Sequence, residues 1–145
     1  MAYDYSIEDY KKEQMARAYG LVPISLKKSV EVCNFIRNKN VGRAKKLLEE
    51  VISMDTAVPF RRYVRGIPHR KGGVGPGKFP VKASGFILKL LNSAEANAQF
   101  KGLKTGNLII KQVSAKKAPT AMHTGRQRAR KMKRCYVEVV VSESK

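Results

Sequence analysis

The distribution of charge constrains this chain more than any other feature. From Thr56 to Val137, 82 residues hold 19 Lys and Arg against one acid, Glu95, and carry +18 of the formal net charge of +19. The other 63 residues balance 11 basic against 10 acidic side chains, the ordinary mixture of a solvated surface. A field so one-sided opposes compaction by self-repulsion, and phosphate backbones are the commonest cellular partner able to neutralise it. Any fold open to this sequence must therefore keep much of its second half outside the core and against a polyanion.

At 145 residues the chain suits one domain with one core. Its apolar content of 43% is too high for a disordered polycation and falls into periodic segments. The expected division is a polar leader over 1–17 and a single domain over 18–145. The leader lacks the apolar centre of a signal peptide, and no apolar run approaches the roughly 20 residues of a membrane span. A soluble intracellular protein without membrane insertion is expected. Cys33 and Cys135 stand about a hundred residues apart with no Cys-x-x-Cys pair, which favours buried free thiols over a disulfide or metal role.

Ala18 to Ile24 suits a short edge strand, because Pro23 cannot donate a ladder hydrogen bond. Ser25 stands at a cap position. Leu26, Val30, Cys33 and Ile36 then give one apolar helical face, with Lys27, Lys28, Glu31 and Arg37 pointing elsewhere and an end near Asn38. Asn40 is placed to cap a second helix, in which Val41, Ala44, Leu47, Leu48, Val51 and Ile52 repeat the stripe.

From Pro59 to Lys82 the periodicity disappears. Seven basic residues, no acids, five glycines and four prolines occupy these 24 positions, the composition of a long loop. Val81 opens a third helix with Phe86, Ile87, Leu90, Leu91, Ala94 and Ala98 on one side and Gly102 as its stop. Two strand-like runs follow, Leu108 to Ser114 and Cys135 to Ser142. In the second, Cys135, Val137, Val139 and Val141 alternate with Tyr136, Glu138 and Val140, as in a half-buried strand. Between them, Lys116 to Arg134 hold eight basic residues and no acid. Run as two antiparallel arms of about nine residues at roughly 3.3 Å each, they form a hairpin reaching some 30 Å beyond the sheet.

Gly72, Gly77 and Lys78 match the Gly-x-x-x-x-Gly-Lys spacing of a phosphate-binding loop. However, Phe79 replaces the Mg²⁺-holding Ser or Thr, and His69, Arg70 and Lys71 precede the loop instead of an apolar strand. His69 and His123 have no carboxylate or cysteine at ligand spacing, and a lone Glu95 cannot supply paired carboxylates. No enzyme, metal or cofactor role is expected. Glu95 itself is either an exposed polar position or an acid that orients neighbouring Arg or Lys side chains.

No helix-turn-helix, zinc finger or basic zipper is apparent, and glycine-laced basic loops fit irregular folded RNA. The candidate RNA contacts are Arg61, Arg62, Tyr63, Arg65, His69, Arg70, Lys71, Lys78 and Lys82 in the first segment. Those in the second are Lys116, Lys117, Arg126, Arg128, Arg130, Lys131, Lys133 and Arg134. Arg61, Arg62 and Tyr63 add guanidinium planes and a ring that could stack on a base.

Val58 to Tyr63 (Val-Pro-Phe-Arg-Arg-Tyr), Asn92 to Ala98 (Asn-Ser-Ala-Glu-Ala-Asn-Ala), Gly102-Leu103 and Lys116 to Pro119 (Lys-Lys-Ala-Pro) together resemble the universal large-subunit ribosomal protein number twenty-two family. The Pro-Phe-Arg-Arg-Tyr insertion points to its archaeal and eukaryotic branch, and the likeness spans roughly Tyr19 to Glu143. The resemblance implies an α+β fold, three helices on a small three-stranded antiparallel sheet, with a long basic hairpin and a basic Gly/Pro-rich loop. It also implies a structural constituent of the large subunit that binds ribosomal RNA beside neighbouring ribosomal proteins, and that passes through the nucleolus during assembly if eukaryotic. Its hairpin would line the nascent-peptide exit tunnel, here through His123, Thr124, Gly125, Arg126, Gln127, Arg128, Ala129 and Arg130. At the tip this chain reads Gly-Arg-Gln-Arg-Ala-Arg-Lys-Met-Lys-Arg, where the family has Arg-Ala-x-Gly-Arg before a proline. The alternative is a non-ribosomal RNA chaperone or ribosome assembly factor using the same electrostatics.

Overall fold

The computed structural model describes residues 15–143. Three strands form the main sheet in the order β1 (Met15–Val22), β8 (Cys135–Glu143), β5 (Leu108–Lys117), all antiparallel. Three helices, α1 (Leu26–Ile36), α2 (Val41–Ile52) and α3 (Val81–Phe100), pack against this α+β core. The expected helix count, central sheet and edge position of the first strand are all present.

β1 starts at Met15, three residues before the expected Ala18, and ends at Val22, ahead of Pro23. Residues 1–14 of the expected leader lie outside the described residues. The earlier start has a tertiary cause. From α3, Asn97 Nδ2 donates to the Arg17 carbonyl at 2.8 Å and Lys101 Nζ to the Met15 carbonyl at 2.8 Å, fixing two acceptors of an edge strand. Gly20 lets α3 come close, since a Cβ there would stand 3.0 Å from Leu90 Cδ2.

Helix α1 corrects the expected face. Ser29, Glu31, Val32, Cys33 and Ile36 are its buried residues, whereas Leu26 and Val30 are half-buried. Ser29 takes a core position because its hydroxyl donates to the Ser25 carbonyl at 2.9 Å and lies 3.5 Å from Cys135 Sγ. Ser25 occupies the N-cap position, yet its side chain makes no capping bond. In α2, by contrast, Asn40 Oδ1 accepts the Gly42 N–H at 2.9 Å, and Val41, Ala44, Leu48 and Val51 are buried. α3 buries Ile87, Leu91, Ala94 and Ala98 of the expected stripe and stops at Gly102, whose φ of 74° suits glycine.

The first strand-like run lacks simple alternation because β5 contains a bulge. Its register against β8 shifts between Ile110 and Gln112, so the buried residues are Leu108, Ile110 and then Val113, a spacing of two followed by three. β8 is also more covered than alternation suggests. Cys135, Val137, Val139 and Val141 join the core, and Glu138 and Val140 on the opposite face are buried too. A central strand has neighbours on both sides. Tyr19 and Ser114 flank Glu138, and Lys116 Nζ lies 3.7 Å from its carboxylate.

Candidate nucleic-acid interface

The segment 59–82 is not structureless. Two-residue strands β2 (Val58–Pro59) and β3 (His69–Arg70) flank β4 (Gly75–Lys78) in a second antiparallel sheet of order β2-β4-β3. Its glycines and prolines hid it, because strands this short carry no alternation to read. Phe60 is buried and its N–H donates to the Pro76 carbonyl at 2.8 Å, while Gly77 N–H donates to the Pro68 carbonyl at 3.1 Å. That also removes the phosphate-loop reading. Gly77 and Lys78 sit in a paired strand, and Gly72 lies in the turn before it, so their amides form no cradle opening a helix.

An acid from the balanced half organises this segment. Glu31, only 1% exposed, accepts the N–H of Arg61 at 3.2 Å through Oε2, and those of Arg62 and Tyr63 at 2.8 Å each through Oε1. Three successive amides make an anion-binding concavity, here filled from within the protein. The Arg61 and Arg62 side chains are left exposed, and Tyr63 is half-buried with Lys27 Nζ 5.7 Å and Arg62 Cζ 5.8 Å from its ring centre. Glu31 was expected to point away from the apolar face. Its role was illegible because its partners lie thirty residues downstream.

Arg65, His69, Arg70 and Lys71 are exposed and Lys78 is half-buried. Arg70 uses Nε to hold the Gly77 carbonyl at 3.2 Å and lies 5.1 Å from the centre of the Phe79 ring, so it braces the small sheet as well as presenting charge. His69, Arg70 and Lys71 share a cleft of about 540 Å³ with Asp55 and Thr56.

The second segment begins inside the main sheet. Lys116 and Lys117 are the last residues of β5, paired with Tyr136 and Cys135. Beyond them the chain continues as a hairpin. Ala118 N–H donates to the Arg134 carbonyl at 3.3 Å, β6 (Ala121–Met122) pairs with β7 (Lys131–Met132), and His123 N–H donates to the Arg130 carbonyl at 2.9 Å. A single 3₁₀ turn, Gly125–Gln127, closes the tip. The paired arm from Ala118 to His123 accounts for about 20 Å at roughly 3.3 Å per residue, and the tip turn extends beyond it. His123, Thr124, Gly125, Arg126, Gln127, Arg128, Ala129 and Arg130 are all exposed, as are Lys131 and Lys133; Arg134 is half-buried.

The two basic segments share a cleft. Lys82, in the first turn of α3, lines a cleft of about 480 Å³ together with His123, Lys131 and Lys133 of the hairpin. Its body side also includes Lys28 of α1 and the N-cap residue Ser25, which sequence reasoning left among the balanced residues. The lone acid of the basic half faces elsewhere. Glu95 is ion-paired to Lys45 of α2, which resolves its two readings in favour of a structural role, holding helix to helix.

Comparison with known proteins then decides the lineage. The family model described as ribosomal protein L22p/L17e matches residues 17–142, which takes in the three helices, both basic segments and all but the outermost residues of the main sheet. This chain belongs to the ribosomal protein L22p/L17e family. Among curated relatives, the large ribosomal subunit protein uL22 of Archaeoglobus fulgidus is 43% identical over 117 residues, covering 79% of this chain and 75% of its own. That of Methanothrix thermoacetophila is 39% identical over 140 residues, with 90% and 91% covered, and that of Ignicoccus hospitalis is 36% identical with 97% and 96% covered. Seen as an L22p/L17e member, the chain gives structural work to several residues that carried the resemblance. Ala94 and Ala98 sit in the core, Glu95 and Asn97 tie α3 to α2 and β1, and Phe60 to Tyr63 wrap over Glu31. Both cysteines are free and buried, and burial pushes the Cys33 thiol up to about 12. Among the described residues no helix is long and apolar enough to cross a membrane.

Proposed function

We propose that this chain is a structural constituent of the large ribosomal subunit, without catalytic activity, that binds ribosomal RNA through the segments 59–82 and 116–134. The observation that carries the reading is the division of labour in the molecule. The rest of the chain sets 15 basic residues against all 11 acids, and its three helices and sheet hold two acid-free segments, most of whose Arg and Lys side chains are exposed. Phosphates are their natural counterions, and contacts of this kind position RNA more than they read its bases.

The hairpin tip, His123 to Arg130, is the part that would line the nascent-peptide exit tunnel. Its full exposure, its five Arg and Lys from Arg126 to Lys133 and its projection from the sheet support that placement. The nascent polypeptide and neighbouring ribosomal proteins are then its further partners, on ribosomes in the cytoplasm, with assembly in the nucleolus in a eukaryote. The relatives bear the name of large-subunit proteins, which supports the same assignment.

The test is co-sedimentation of the tagged chain with large subunits through a high-salt cushion. Stoichiometric retention is expected. Substoichiometric, salt-labile association would instead indicate an RNA chaperone or assembly factor, and cross-links from residues 123–130 only to RNA or protein outside the tunnel wall would remove the tunnel placement.

A further inference from the structure

The cleft between hairpin and body has basic walls on both sides. Lys28 and Lys82 stand on the body, and Lys131, Lys133 and His123 on the hairpin, with no acid among the lining residues. Like charges facing across about 480 Å³ push the walls apart unless an anion lies between them. α1 and α3 both begin here, and neither has a side-chain cap or an acid in its first turn. Their partial positive ends add to the field.

Nothing polar among the described residues opposes that repulsion. Among the described residues, no hydrogen bond or ion pair joins residues 119–133 to the body. The hairpin is held by its own two strands, and where it leaves the sheet the pairing slips by one residue. Lys117 pairs with Cys135 but Ala121 with Met132, so Ala118 to Thr120 are spanned by only Lys133 and Arg134. Pro119, inside that slip, has no N–H to give. The strand ladder is thus irregular where the hairpin leaves the sheet, beside a cleft with charged walls.

We propose that this cleft takes the phosphate backbone of a single RNA strand, and that the strand sets the angle of the hairpin relative to the body. This rests on the RNA-binding reading above and adds a place and a consequence. The volume lies toward the lower end of ligand clefts, roughly 300–1,000 Å³, which suits the backbone of a single strand. Lys28 enters the interface from outside both acid-free segments.

The full chain, spin-labelled through Glu49→Cys on α2 and Gln127→Cys at the tip, reports the angle as a distance distribution. Cys33 and Cys135 are buried and stay unlabelled. A ten-nucleotide oligouridylate should narrow a broad distribution to one distance. Lys28→Ala with Lys133→Ala should leave it broad while the oligonucleotide still binds, with the log–log salt slope lower by about 1.4, at roughly 0.7 per single-strand phosphate contact. Arg43→Ala with Lys46→Ala, on exposed positions of α2, should narrow like the parent. Binding without narrowing, or narrowing in the Lys28/Lys133 variant, overturns the proposal and leaves RNA binding standing. Narrowing by inorganic phosphate alone assigns the cleft to a free anion and overturns the strand; failure of the parent to bind the oligonucleotide overturns the proposal, and failure to bind folded large-subunit RNA as well overturns both readings.

Discussion

Glu31 holds Tyr63 by its backbone: the carboxylate on the first helix accepts the Tyr63 N–H at 2.8 Å, across 32 residues of chain. Arg61 and Arg62 offer their amides to the same group, so one buried acid shapes the turn that presents two exposed guanidinium groups. Removing the acceptor strands three donors. Glu31→Ala should cost about 2–3 kcal/mol and Glu31→Gln, which keeps one oxygen, clearly less. Urea denaturation measures both, and trypsin should cut after Arg61 or Arg62 faster in the alanine variant than in the parent.

The Glu95–Lys45 pair joins α3 to α2 at the surface, with side chains 28% and 21% exposed. Solvent at both ends limits its worth. Glu95→Gln should lower stability by about 0.5 kcal/mol, and a double-mutant cycle with Lys45→Met should give a coupling below about 1 kcal/mol. A coupling of several kcal/mol would mean that the pair is drier than its exposure indicates.

Burial raises the Cys33 thiol to about 12 and raises that of Cys135 as well. A thiol raised in the folded state stays protonated there after the unfolded chain has lost its proton. Its contribution is therefore complete below the ordinary thiol value of about 8.5 and is lost as pH rises from there towards 12. Urea midpoints taken from pH 8 to 10 should fall, and Cys33→Ala should flatten the fall by up to about 1.4 kcal/mol per pH unit. An identical slope in the variant would show that the thiol is not the source.

The hairpin tip is exposed and detached from the core, so Arg126→Ala with Arg128→Ala should leave the melting temperature of the free protein within about 1 °C of the parent. RNA affinity should drop and its log–log salt slope should flatten by about 0.7 per arginine on a single strand. Calorimetry and fluorescence anisotropy read the two effects separately. A large loss of melting temperature would place these arginines in the fold.

Much of the fold was legible because helix stripes and caps are local. Val41, Ala44, Leu48 and Val51 in α2, Asn40 at its cap, and Ile87, Leu91, Ala94 and Ala98 in α3 all lie where spacing put them. The readings that failed each involve a partner far along the chain. Ser29 replaces Val30 in the core because Cys135 meets it. Lys111 breaks the alternation of β5 because the strand bulges against β8. The small β2-β4-β3 sheet is built from backbone bonds of glycines and prolines, whose side chains carry no period.

The sequence by itself determined that the basic residues from Thr56 to Val137 would stay outside the core and seek a polyanion, since net charge does not depend on conformation. It also marked off the two acid-free segments by composition alone. Tertiary structure decided which acids serve the fold and where the two segments meet. Glu31 could be buried only once three amides some thirty residues downstream were brought to it, and a buried carboxylate without such donors is prohibitively costly. Lys28 likewise joined Lys82 and Lys133 across one cleft only when the hairpin lay beside the first turns of α1 and α3.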